Sequence, residues 1–173
     1  VVRACLDLYV AFAPDMANVL LPFMAGDRGG EASFRGHALK LMVKTSHSLT
    51  GEMLREAMAD DDVAAVAAGL LDAMDAGEAM PLINASLASM DTAQVQGAWR
   101  ALSRMKGDGA DQRVAVGLAS LADGTAPEKT WLEILRAAES RKSETAVAAL
   151  AAWRASFDAA DPLGGRRVAL EGG

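Results

Sequence analysis

Residues 91–124, DTAQVQGAWRALSRMKGDGADQRVAVGLASLADG, decide the fold class of this chain. Asp91 followed three residues later by Gln94 resembles a capping box, in which a side chain accepts from the free N–H groups at a helix start. Val95, Trp99, Leu102 and Met105 then recur at three- and four-residue steps, the spacing of one helical face. Gly107-Asp108-Gly109 breaks that pattern. Asp111 opens another, with Val114, Val116, Leu118 and Leu121, and Asp123-Gly124 closes it. Nothing in the stretch alternates as a half-buried strand does. The segment reads as helix, turn, helix.

Working outward, the same grammar repeats. Towards the N-terminus, Glu78 to Met90 carries Leu82, Ile83 and Leu87, with Pro81 tolerable only inside the first turn. Val63, Val66, Leu70, Leu71 and Met74 predict a helix whose positive end is favoured by Asp60, Asp61 and Asp62. Glu52 to Ala59 is a short helical segment. Ser33 is expected to cap a helix through Leu39, Met42, Val43 and Leu49, stopped by Gly51. Towards the C-terminus, Thr125-Ala126-Pro127-Glu128 combines a cap, an early proline and a glutamate at the third position, ahead of Trp131, Leu132, Leu135 and Ala138. Ser143 opens a last helix through Val147, Leu150, Trp153 and Phe157, ended by Asp161-Pro162-Leu163-Gly164-Gly165. The expectation is all-α: seven or eight short antiparallel helices packed as a bundle or a short α-solenoid. They form a single domain over 1–165 with a sub-boundary near 51–62, and 166–173 is a flexible tail.

Composition agrees. The chain has 173 residues, 51% of them apolar but only 5% aromatic, so alanine, leucine, methionine and valine must fill the core. Alanine is the strongest helix former and a poor filler of sheets. A formal charge of −6 repels phosphate backbones and argues against nucleic acid as a partner; Arg35, Lys40 and Lys44 form no dense run. The single cysteine, Cys5, cannot form an internal disulfide and is expected to be a buried small hydrophobe. No apolar run approaches the about 18 residues of a membrane span, so a soluble, intracellular protein is expected. The chain opens at Val1 inside a helical pattern, as a subunit or segment of something larger would.

Two stretches resemble known families. Ala13-Pro14-Asp15, Val19 to Met24 and Phe34-Arg35-Gly36-His37-Ala38-Leu39 resemble part of a globin over residues 6–50. The resemblance implies that Phe23 packs on a haem and that His37 is the distal histidine. It does not supply the proximal histidine that would hold haem iron, because Asp60 to Gly77 contains none. A haem-free globin-like ligand or sensor domain is therefore the form of this reading to expect, with haem as the one cofactor it brings into view. Residues 63–157 resemble helix-pair repeats of the tetratricopeptide or pentatricopeptide type, which implies a scaffold presenting a surface to a partner. Ala98-Trp99-Arg100-Ala101 returns as Ala152-Trp153-Arg154-Ala155.

Other candidate chemistry reads as structure. His37 and His47 are ten residues apart on the expected helix, about 15 Å along its axis, too far to share a metal. Asp60-Asp61-Asp62 lacks the alternating ligands and glycine of a calcium loop. Gly26-Asp27-Arg28-Gly29-Gly30 has no following Lys-Ser/Thr and no preceding strand, as a phosphate loop requires. Trp99, Trp131 and Trp153 are expected as core anchors. With no catalytic or metal residues to name, the leading expectation is a non-catalytic structural or protein-interaction domain with a protein partner.

Overall fold

The structure, a computed structural model, describes residues 2–160, with side chains described over 4–156. Those residues form ten α-helices and two 3₁₀ turns, and no strand occurs among them. The all-α expectation holds, with more and shorter helices than the sequence predicts. Contacts divide the chain into two compact units, Val1–Ala110 and Asp111–Gly173. The division therefore does not fall within 51–62, where the buried Arg35 reaches across to Asp60 and ties that turn into the first unit. Residues 161–173, including the expected tail at 166–173, lie outside the described residues.

In the first unit, α1 (Val2–Phe12) and α2 (Pro14–Gly26) are separated by Ala13 alone. Pro14 sits in the first helical turn, where its missing N–H costs nothing. Pro22 lies inside α2, and its ring nitrogen leaves the Asn18 carbonyl without its helical donor. The Nε2 of His47 lies 2.9 Å from that oxygen and supplies the missing bond. α2 buries Ala17, Leu21 and Ala25, one stripe at four-residue steps.

Next come α3 (Ala32–Lys44) and α4 (Thr50–Met58). The Ser33 cap does not form: Glu31 occupies the cap position with no side-chain bond, and Ser33 lies within the helix. Nor does α3 reach Leu49. It stops at Lys44, where the Thr45 hydroxyl folds back onto the Leu41 carbonyl at 2.9 Å, and Gly51 lies inside α4. Leu39 and Met42 of α3, Leu21 and Leu54 form the centre of this core, fully buried.

The helix expected over Val63 to Met74 breaks. α5 is only Ala64–Ala68, and a 3₁₀ turn over Leu71–Ala73 follows Gly69 and Leu70. The break has a physical cause in α7 (Thr92–Arg104), reached through α6 (Ala76–Leu87). At Gly97 of α7 a Cβ would stand 2.7 Å from the Ala65 carbonyl and 3.0 Å from the Gly69 nitrogen, so the two backbones touch. Arg104 then binds the Gly69 carbonyl, an acceptor a continuous helix would have used itself. The Asp91 cap is as expected in kind, accepting from Ala93 N–H at 2.9 Å, and Asp75 caps α6 in the same way, accepting from Gly77 N–H at 2.8 Å. Gln94 meets the Ser89 hydroxyl, which in turn accepts from Asp91 N–H, so the box closes through a third residue. Pro81 lies beyond the first turn of α6, deeper than the sequence reading allows.

Gly107, at φ +108°, turns the chain into α8 (Asp108–Ala122), which starts ahead of Asp111. In the second unit, Thr125 does not cap the next helix: its hydroxyl turns back to the Ser120 carbonyl. Pro127 leads instead into a 3₁₀ turn, Glu128–Thr130, and α9 begins only at Trp131 and ends at Glu139. Trp131 is therefore not the core anchor expected of it. It is partly exposed, and its indole N–H donates to the Ala126 carbonyl at 2.9 Å. α10 (Glu144–Ala160) follows Ser143, whose hydroxyl accepts from Ala146 N–H. Val114, Leu118, Ile134, Ala137 and Ala146 are buried, and Arg141 pairs with buried Asp111.

Candidate functional site

The candidate ligand-binding residues from the globin resemblance lie on α2 and α3. Phe23 projects outward, 72% exposed, and therefore packs on nothing that would make a closed pocket. His37 is half-buried, with Nε2 3.1 Å from Asp7 on α1, so its ring ties α3 to α1. His47 uses both ring nitrogens: Nε2 meets the Asn18 carbonyl and Nδ1 accepts from Leu49 N–H at 3.1 Å. Among the described residues no group of three or more His, Cys, Asp or Glu is arranged to hold a metal ion, and no helix is long and apolar enough to cross a membrane.

Asp60, read from the sequence as part of a helix cap, instead partners buried Arg35, with Arg28 3.9 Å away. The Arg35 hydrogen bond is the largest influence on its carboxyl and holds it below its ordinary value of 3.8, outweighing burial, which acts the other way. Asp60 also accepts from Asp62 N–H, so the acidic triplet is a turn closed on its own first carboxylate. In the glycine loop, Asp27 accepts from Gly29 N–H in the same manner.

Two surfaces of the first unit stand out. The first is the outer face of α1 and α2. Leu8, Tyr9 and Phe12 share one face of α1, and Met16, Val19 and Phe23 one face of α2; all six are 46–83% exposed. Cys5 is exposed as well, one turn before Leu8, and not the buried hydrophobe expected. Side chains of this kind at those exposures present on the order of 700 Å² of apolar surface in two stripes, more than singly scattered apolar residues account for. The sequence contains the signal: α1 and α2 are apolar on nearly every side, so packing one face inward leaves the other uncovered.

The second is a cleft of about 440 Å³ in the first unit, lined by residues of α3, α5 and α7 and of the turn after α5. α5 makes the floor, in contact with α3 on one side and α7 on the other. Two glycines bring those helices close: Gly36 faces Val66, and Gly97 faces the α5 backbone. Val43, Ala65, Val66 and Leu70 give the cleft an apolar lining; Lys40, Arg100 and Arg104 give it cations. Arg104 is fixed by Asp72, with Nε at 2.9 Å and Nη2 at 2.7 Å, and this pairing raises its pKa. No periodicity argument finds this site, because its residues come from three separated segments. No family model, curated protein or solved structure matches the chain.

Proposed function

We propose that this chain is a non-catalytic helical interaction domain, a subunit or segment of a larger assembly, that engages a protein partner through the outer face of α1 and α2. The observation that carries this reading is the pair of apolar stripes, Leu8-Tyr9-Phe12 and Met16-Val19-Phe23, left in water by helices whose opposite faces are already buried. Leaving that much apolar surface hydrated is unfavourable by about 25 cal/mol per Å², a cost that a covering partner removes. Aromatic and methionine side chains are also the types enriched at interface centres.

The test is a cross-linking pull-down comparing the wild-type chain with Phe12→Ser/Phe23→Ser. Both rings are exposed, so the double variant keeps its helical circular dichroism and its melting temperature. A partner captured by the wild type and lost by this variant is the expected result. Equal capture by both would remove the α1–α2 face from the reading.

A further inference from the structure

The α3–α5–α7 cleft lies apart from the face assigned to a protein partner, and its chemistry is different. Its volume of about 440 Å³ suits a small molecule. Val43, Ala65, Val66 and Leu70 offer apolar contact, while cations rise from both banks, Lys40 from α3 and Arg100 and Arg104 from α7. The only carboxylate in the lining is Asp72, and it already takes two hydrogen bonds from Arg104. Lys40 and Arg100 form no ion pair among the described residues. The local excess is positive on a chain whose formal charge is −6. A concave, low-dielectric surface of one sign concentrates ligands of the other.

We propose that this cleft binds a small amphiphilic organic anion, a phosphate or carboxylate head on a short apolar body. The head sits between Lys40 and Arg100, and the body lies on Val66 and Leu70. Arg104 has a positioning role: its bonds to Asp72 and to the Gly69 carbonyl hold the α7 bank against the turn that closes α5. Gly97 seats α7, and Gly36 seats α3, against α5 without a ligand, so little ordering accompanies binding.

The experiment is an amide-resolved NMR titration of the full chain at low salt with four probes below any micellar concentration: octyl phosphate, octanoate, inorganic phosphate and neutral octyl glucoside. Saturable binding of octyl phosphate or octanoate is expected, with shifts at Val66, Leu70 and Gly97, and the ratio of the two affinities tells a phosphate ligand from a carboxylate. Lys40→Ala/Arg100→Ala removes two exposed side chains and keeps the fold; its affinity for the better probe falls about tenfold, as for the loss of two solvent-facing ion pairs. Undiminished affinity in that variant overturns the proposal. So does octyl glucoside binding as tightly as octyl phosphate, which would leave the charge unread, or inorganic phosphate doing so, which would leave the apolar floor idle. Shifts confined to α1 and α2, or no saturable binding, overturn it equally.

Discussion

Two side chains that look like candidate chemistry in the sequence turn out to satisfy polar groups. His47 bonds the carbonyl that Pro22 leaves without a donor, and accepts from Leu49 N–H. His47→Ala should therefore cost about 1 kcal/mol, the usual net loss for partly hydrated hydrogen bonds, read as a lower urea midpoint at unchanged m-value. Asp60 is the stronger case, because Arg35 is only 3% exposed and needs a counter-charge. Asp60→Asn leaves that guanidinium short of its anion, a loss of about 3 kcal/mol at neutral pH. The sign with pH follows from the direction of the shift. The Asp60 carboxyl is held below 3.8 in the folded state, so its stabilisation is complete above that value and is lost as pH falls through the lower, folded value. Urea midpoints of wild type and Asp60→Asn should thus differ at neutral pH and converge in acid. A gap that persists there would show that the carboxylate is not what the variant lost. Neither role was legible in the sequence, since Asn18 and His47, like Arg35 and Asp60, meet only through the fold.

Helices were legible; their ends were not always. Asp91 and Ser143 stand just before real starts, because an acidic or hydroxyl side chain there meets an N–H group two or three residues on, a purely local event. Ser33 and Thr125 carry the same local chemistry, yet Ser33 lies inside α3 and the Thr125 hydroxyl is drawn back to Ser120. Asp91→Ala should accordingly lower stability by about 1 kcal/mol, while Ser33→Ala should leave the unfolding midpoint nearly unmoved. The split of the Val63–Met74 helix was beyond local reading altogether, since its cause is a glycine nearly thirty positions away. Gly97→Ala places a methyl against the Ala65 carbonyl and should cost about 1–3 kcal/mol, forcing α5 and α7 apart. Gly51→Ala is the matched control: in α4 its added carbon meets only the Arg55 guanidinium at 3.8 Å, and it should stabilise by about 0.5 kcal/mol. Thermal melts of the two variants should shift in opposite directions.

At the scale of the whole chain, composition identified an alanine-rich helical protein, but the division at Ala110 and Asp111 shows in the sequence only as the Gly107-Asp108-Gly109 turn, no different in kind from the other turns, because it falls within the first turn of α8 rather than in a linker. Among the described residues each unit holds one buried arginine–aspartate pair: Arg35 with Asp60 in the first, Arg141 with Asp111 in the second. These pairs report separately on the two units. A buried ion pair broken on one side leaves an uncompensated charge, and that penalty is felt by the cooperative unit that buries it. Asp111→Asn should therefore hasten amide hydrogen exchange across 111–156 by lowering the free energy of opening of that unit, and leave protection of α3 and α4 as it was. Asp60→Asn should do the reverse. Exchange mass spectrometry of the two variants in parallel reads both at once. If either substitution accelerates exchange evenly from α1 to α10, the chain opens as one cooperative body and the two contact-defined units are not separate in stability.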